Sequence, residues 1–235
     1  MTVTVITCRG LFEAVSNTNM LSNLTNRLDR NRFRVEEFSP WAAGFGDYDV
    51  ALERTAGLLA ERVRREPGPV VLAGYSGGAA VVGHTLARLS FSERRKVAYT
   101  VLAADPNMPT AGGLYHPEIV GSVNPNGWTG IAGARFVPYL QPVVWVADKG
   151  DPICQLPPGS PLRRLAAVLT AMRPGPGSLV SMQANLARIA YRDYSWPAYR
   201  QAAADLDGYL RRGSHVLPYP PLLARVGDDI NRTVR

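Results

Sequence analysis

Residues 70–78 constrain this chain more than any other stretch. Val70-Val71-Leu72-Ala73 is a short apolar run without alternation, the pattern of a strand covered on both faces. It leads into Gly74-Tyr75-Ser76-Gly77-Gly78, and residues 77–89 then read as a helix. A strand that becomes a helix within so few residues needs small side chains around the turn, and Gly74, Gly77, Gly78, Ala79 and Ala80 supply them. Such a turn lifts the Ser76 hydroxyl above the sheet. It also sets the hydroxyl at a helix start, whose N–H groups stabilise negative charge. A phosphate-binding loop would carry a lysine after the glycines, and none is present. The plainer alternative is a glycine-rich turn with an incidental serine.

The same alternation recurs along the first 150 residues. Strands are expected at 3–7, 33–38, 97–103 and 143–147. Leu21, Leu24 and Leu28 mark one face of a helix. Asp47 is placed to cap another that runs to about Arg65, with Val50, Leu58, Leu59 and Val63 as its apolar positions. Pro67-Gly68-Pro69 stops it. Strands alternating with helices imply a parallel sheet covered on both sides. The 235 residues suffice for one such domain, 1–235. After Asp151 the pattern is helical only, over about 161–172, 178–190 and 196–212, with Pro174-Gly175-Pro176-Gly177 between the first two. Residues 155–212 therefore read as a helical insertion within the domain. A last short helix follows Pro218, with Leu222, Leu223 and Val226 as apolar positions.

A nucleophilic hydroxyl needs a base, and the chain has three histidines. His84 lies about two turns beyond Ser76 on the same helix, pointing away from the hydroxyl. His116 reads as a surface-loop residue. His215, in Gly213-Ser214-His215, follows the last insertion helix. In α/β-hydrolases the order along the chain is serine, acid, histidine, and only His215 leaves room for an acid before it. Asp151 follows strand 143–147 and is the first choice for that acid. Asp105, after strand 97–103, is the reserve, and Asp148 reads as a turn residue.

The formal charge is +7, carried almost wholly by arginine. Its arginines are dispersed, with short pairs at Arg64-Arg65, Arg94-Arg95, Arg163-Arg164 and Arg211-Arg212, the pattern of solvated helix faces. Without zinc-finger spacing or an aromatic RNA-binding motif, nucleic acid is not an expected partner. No ligand spacing suggests a metal, and the chemistry needs no cofactor. Cys8 and Cys154 are the only cysteines and could form one disulfide. There is no transmembrane run, and the N-terminus alternates like a strand without the pattern of a secretory signal.

Four segments resemble the cutinase-like hydrolases, and among them the lysin B enzymes of phages that infect mycolic-acid-bearing bacteria. They are Thr7-Cys8-Arg9-Gly10-Leu11-Phe12-Glu13, Gly74-Tyr75-Ser76-Gly77-Gly78, Gly150-Asp151-Pro152-Ile153-Cys154 and Gly213-Ser214-His215. The acid and histidine lie 64 positions apart, and the interval has helical character, which is similar to the linker subdomain of lysin B and unlike the short loop of cutinases. The resemblance implies a serine esterase with Ser76 as nucleophile, Asp151 as acid and His215 as base. The backbone N–H groups of Leu11 and Gly77 would form the oxyanion hole. It also implies a lipid-ester substrate of the mycobacterial-type envelope, reached after release from the host cytoplasm. Leu11 departs from the serine or threonine usual in cutinases, so a side-chain hydroxyl is lost there. The rival readings are a general cutinase-like lipid esterase and a catalytically silent, envelope-binding structural protein of the same fold.

Overall fold

The strand that carries the serine motif, Val70–Tyr75, is buried along its whole length. It forms the middle of a six-stranded sheet in the computed structural model, which describes residues 2–11, 13–14, 16, 18–38, 48–110, 118–135, 142–164 and 195–235. The strands are β1 (Val3–Cys8), β2 (Phe33–Glu37), β3 (Val70–Tyr75), β4 (Val97–Ala103), β5 (Glu118–Gly121) and β6 (Val143–Ala147). Their order across the sheet is β2-β1-β3-β4-β6-β5, and every pairing is parallel. Helices α1 (Ser22–Thr25), α2 (Tyr48–Arg65), α3 (Gly77–Arg88), α4 (Phe91–Arg94), α5 (Trp196–Arg211) and α6 (Tyr219–Thr233) complete the described elements.

Strand periodicity divides the core in two. Val70 and Leu72 join a cluster with Leu52, Leu59 and Val63 of α2 and Val81, Val82 and Leu86 of α3. Val71, Ala73 and Tyr75 join the opposite cluster, with Leu24 of α1 and Tyr219, Leu223, Val226 and Ile230 of α6. Helices thus cover both faces, which is why β3, β4 and β6 are apolar without alternation. A small third cluster joins Leu156 and Leu162 to Ala202 and Leu206 of α5.

Several expectations are corrected. On α2, Val50 and Leu58 are exposed, at 65% and 44%. The buried stripe is Leu52, Ala56, Leu59 and Val63, whose helical spacing includes a small residue that a search for large apolar side chains passes over. Strand β5 was not expected. It holds only Ile119 and Val120 between Glu118 and Gly121, and it pairs with β6 at the sheet edge, where little burial is demanded. The last helix has 15 residues and is not short. Cys8 and Cys154 are free, buried thiols. Arg163 is no solvated helix decoration. Its guanidinium donates to the carbonyls of Thr129, Gly130, Ile131, Leu156 and Pro157, pinning the start of the post-strand segment to the 129–131 loop. Of the three helices expected in the insertion, the last is α5. Residues 162–164 are helical, and the rest of the first two helices lies outside the described residues. Among the described residues, no helix is long and apolar enough to cross a membrane.

Candidate active site

The turn between β3 and α3 is tight, and the glycines are there because backbone occupies the space of a Cβ. A Cβ on Gly74 would lie 2.4 Å from the Gly78 carbonyl oxygen and 2.6 Å from Ala79 Cα. One on Gly78 would lie 2.0 Å from the Cys8 carbonyl oxygen and 2.4 Å from that of Arg9. Ser76 itself adopts φ 55°, ψ −121°, a left-handed conformation that costs about 1–3 kcal/mol in a residue with a side chain. Its N–H donates to the Ala103 carbonyl at the end of β4, and its own carbonyl accepts from Ala79 and Ala80 at the start of α3. The strain is thus held by sheet on one side and helix on the other.

His215 sits between α5 and α6, just after Gly213, which turns the chain at φ +65°. Val216 and Leu217 both donate back to the Gly213 carbonyl, and this closes the turn around the histidine. Tyr75 donates its hydroxyl to the His215 carbonyl and stacks on the imidazole with ring centroids 5.2 Å apart. Tyr209 of α5 lies against the ring at 5.3 Å. So held, His215 places Nε2 at 2.9 Å from Ser76 Oγ and Nδ1 at 2.9 Å from Asp151 Oδ2.

Asp151 is fully buried, and donors surround it. Oδ1 accepts from the Ile153 N–H at 3.0 Å, and Oδ2 also accepts from the Tyr219 hydroxyl at 2.5 Å. Cys154 Sγ lies 3.7 Å from Oδ2 and 3.4 Å from the Tyr219 hydroxyl. Burial, and then the Asp151 charge, push the pKa of both Tyr219 and Cys154 well above the ordinary values, so both keep their protons.

The reserve acid is employed elsewhere. Asp105 is buried, accepts from Arg135 Nη2 at 3.1 Å and from Trp145 Nε1 at 3.3 Å, and accepts the Asn107 N–H at 2.9 Å. His84 pairs through Nδ1 with Glu53 of α2 at 2.7 Å, away from Ser76. Asp148 accepts from Ser122 Oγ and from the Gly150 N–H in the turn after β6. His116 lies outside the described residues.

Leu11 lies in the loop that leaves β1 beside the elbow, and Gly77 opens α3. Two side chains brace that loop. Glu13 accepts from the Gly10 N–H at 2.6 Å and the Met20 N–H at 2.8 Å. Arg9 donates to the Glu13 carbonyl at 2.8 Å and to Glu37 Oε1 at 2.9 Å. Gly10 packs against the Tyr75 ring, where a Cβ would lie 2.9 Å from Cδ1. Sequence reasoning assigned no task to Arg9, Glu13, Tyr75 or Tyr219. Tyr219 stands four residues after His215 at the head of an apolar stripe, and an aromatic there reads as core. Its polar partner becomes visible only when α6 is folded back onto the acid.

No family model matches the chain, and no curated protein matches its sequence. Solved structures do match it. Lysin B from Mycobacteriophage D29 aligns at 15% identity and TM-score 0.57, covering 96% of this chain and 99% of that one. An acetylxylan esterase aligns at 16% identity and TM-score 0.54, covering 80% of this chain and 99% of that one. A cutinase-like protein from a Cryptococcus species aligns at 19% identity and TM-score 0.49, covering 66% of this chain and 79% of that one. At such identities the likeness is one of fold: the chain has the α/β-hydrolase fold, a parallel six-stranded sheet flanked by helices.

Proposed function

We propose that the chain is a serine esterase of lysin B type that hydrolyses the ester joining mycolic acids to arabinogalactan. The carrying observation is the continuous hydrogen-bonded relay from Ser76 Oγ through His215 to Asp151, with both links at 2.9 Å. In this reading His215 Nε2 takes the Ser76 proton as Oγ attacks the ester carbonyl. Asp151 holds the Nδ1–H tautomer and stabilises the imidazolium. Tyr219 and the Ile153 N–H orient the carboxylate. The N–H groups of Leu11 and Gly77 take the oxyanion, each donor worth about 3 kcal/mol in such sites. Collapse of the tetrahedral intermediate breaks the ester C–O bond, and His215 returns its proton to the leaving alcohol. Water then attacks the acyl-enzyme with His215 again as base, which releases the acid and restores Ser76.

Three things support the finer reading: the four lysin-B-like segments, the helical character between acid and histidine, and a structural match spanning nearly all of both chains. Residues 155–212 then act as an inserted wall beside the site. Leu162 and α5 belong to its described part, while Leu165, Val168, Leu169, Met172, Leu179, Met182, Leu186 and Ile189 lie outside the described residues. The test compares p-nitrophenyl butyrate with purified mycolyl-arabinogalactan, using wild type and Ser76→Ala. Hydrolysis of both by wild type, and of neither by the folded variant, is expected. Turnover of butyrate alone leaves a general lipid esterase, and turnover of neither leaves a silent envelope-binding protein.

A further inference from the structure

Glu13 grips Gly10 by both of its backbone groups. The carboxylate accepts from the Gly10 N–H through Oε2 at 2.6 Å, and the Glu13 N–H donates to the Gly10 carbonyl at 3.4 Å. The peptide that joins Gly10 to Leu11 is planar and trans, so its C=O and N–H point in opposite directions. Fixing the Gly10 carbonyl toward Glu13 therefore aims the Leu11 N–H the other way. No described residue accepts from that N–H, nor from the N–H of Gly77.

The gripped peptide borders the elbow. A Cβ on Gly10 would stand 2.9 Å from Tyr75 Cδ1 and 3.1 Å from Glu13 Oε2, so tyrosine and carboxylate together close the residue in. The carbonyls of Cys8 and Arg9, just before it, crowd Gly78. The grip is itself anchored. Glu13 Oε1 accepts from the N–H of Met20, which belongs to the core cluster under α1 and α6. Buried Arg9 donates to the Glu13 carbonyl and to Glu37 at the end of β2. The Leu11 side chain packs against the other cluster, the one shared by α2 and α3. The carboxylate is thus tied to one half of the core and Leu11 to the other, and the peptide between them is held against rotation.

A backbone N–H stabilises a developing oxyanion only if it already points at the place where the charge appears. Leu11 has no side-chain hydroxyl to share that task, so the setting of one peptide plane decides the donor. We propose that Glu13 is a positioning residue, which locks the Gly10–Leu11 peptide with the Leu11 N–H turned toward the oxyanion beside Ser76. The proposal rests on the serine-esterase reading.

The experiment measures kcat and KM of Glu13→Gln and Arg9→Lys on p-nitrophenyl butyrate and on its thiono analogue, in which sulfur replaces the carbonyl oxygen. Sulfur accepts hydrogen bonds poorly, so a donor aimed at this atom favours the oxygen ester, whereas Ser76 and His215 serve both substrates alike. Glutamine keeps the size of Glu13 but turns an NH₂ group toward one of the two N–H donors. Lysine keeps the charge of Arg9 and loses its forked donation, so the loop loosens while the Glu13 carboxylate stays. In both variants kcat on the ester should fall about 30-fold or more, KM should hold within about threefold, and the ester-to-thionoester ratio of kcat should fall about tenfold. A measurement on the unsubstituted chain reads the grip directly: the Gly10 amide should exchange at least about 100-fold more slowly than a free loop amide. Butylboronic acid, whose tetrahedral adduct with Ser76 mimics the intermediate, should shift the Leu11 and Gly77 amides.

Equal losses on both substrates place the effect on the relay or on folding and overturn the proposal. A Gly10 amide that exchanges freely overturns it too. So does a Glu13→Gln rate that is unchanged or faster, the latter because a carboxylate near the oxyanion also opposes it by charge. Wild type that turns over neither substrate and takes no boronate sinks the esterase reading, and the proposal with it. Active wild type beside unaffected variants sinks the proposal alone.

Discussion

Two buried aspartates compete for one role, and a matched pair of substitutions separates them. In Asp151→Asn one carboxylate oxygen becomes an NH₂ group. Oδ2 faces the Tyr219 hydroxyl and His215 Nδ1, and Oδ1 faces the Ile153 N–H, so either amide orientation sets a donor against a donor. Relief comes if His215 shifts its proton to Nε2, and Nε2 then cannot accept from Ser76. The loss of kcat should be about 10⁴-fold, as for an acid-to-amide change in other such triads, or about 5.5 kcal/mol of transition-state stabilisation. Asp105→Asn instead removes the charge opposite Arg135, whose side chain is only 12% exposed. Breaking a buried pair from one side costs about 3–5 kcal/mol, and in a chain of this length that lowers Tm by on the order of 10 °C. Initial rates on p-nitrophenyl butyrate below the variant's melting range, with thermal unfolding alongside, read both effects. A folded Asp105→Asn protein that loses as much kcat as Asp151→Asn would refute the assignment. So would an Asp151→Asn protein that keeps about a tenth of the activity.

Gly78→Ala puts a Cβ into two backbone oxygens, so the elbow and the β1 loop must part. A misplacement of about 1 Å costs on the order of 100-fold in kcat/KM, and unchanged kinetics would show the contact to be soft. Tyr219→Phe should lose about tenfold in kcat/KM and, with a charge-assisted hydrogen bond gone, about 1.5–3 kcal/mol of stability. Because burial and Asp151 raise the Tyr219 pKa, its contribution is complete below the ordinary tyrosine value of 10.0 and persists above it. The wild-type-to-variant rate ratio should therefore not collapse at that pH, and convergence there would count against the contact. Asp205 has its carboxyl raised by burial, so its stability contribution is present below about 3.8 and lost as pH rises through the folded value. Asp205→Ala should thus gain denaturant stability relative to wild type at neutral pH and lose that gain in acid. A constant difference would mean that burial of the charge is not the cause.

The chain itself determined what repeats locally. β3, β4 and β6 are legible because strands covered on both faces leave only apolar residues, and the elbow is legible because its backbone leaves no room for a Cβ at Gly74 or Gly78. The serine–acid–histidine order narrowed the expected base to His215. Tertiary structure decided the rest. Asp151 and Asp105 each follow a strand, and only the closed fold fixes what packs opposite: His215 and Tyr219 for one, Arg135 and Trp145 for the other. It turned α2 so that Ala56 faces the sheet and Leu58 faces solvent, and it added β5 by edge pairing, with only two apolar residues as local signal. It gave Arg163 five backbone carbonyls from loops more than thirty residues upstream and from its own approach. Local pattern records which face of an element is apolar. It does not record which distant polar atom will arrive opposite a given side chain, because that contact exists only after the sheet and its helices have closed.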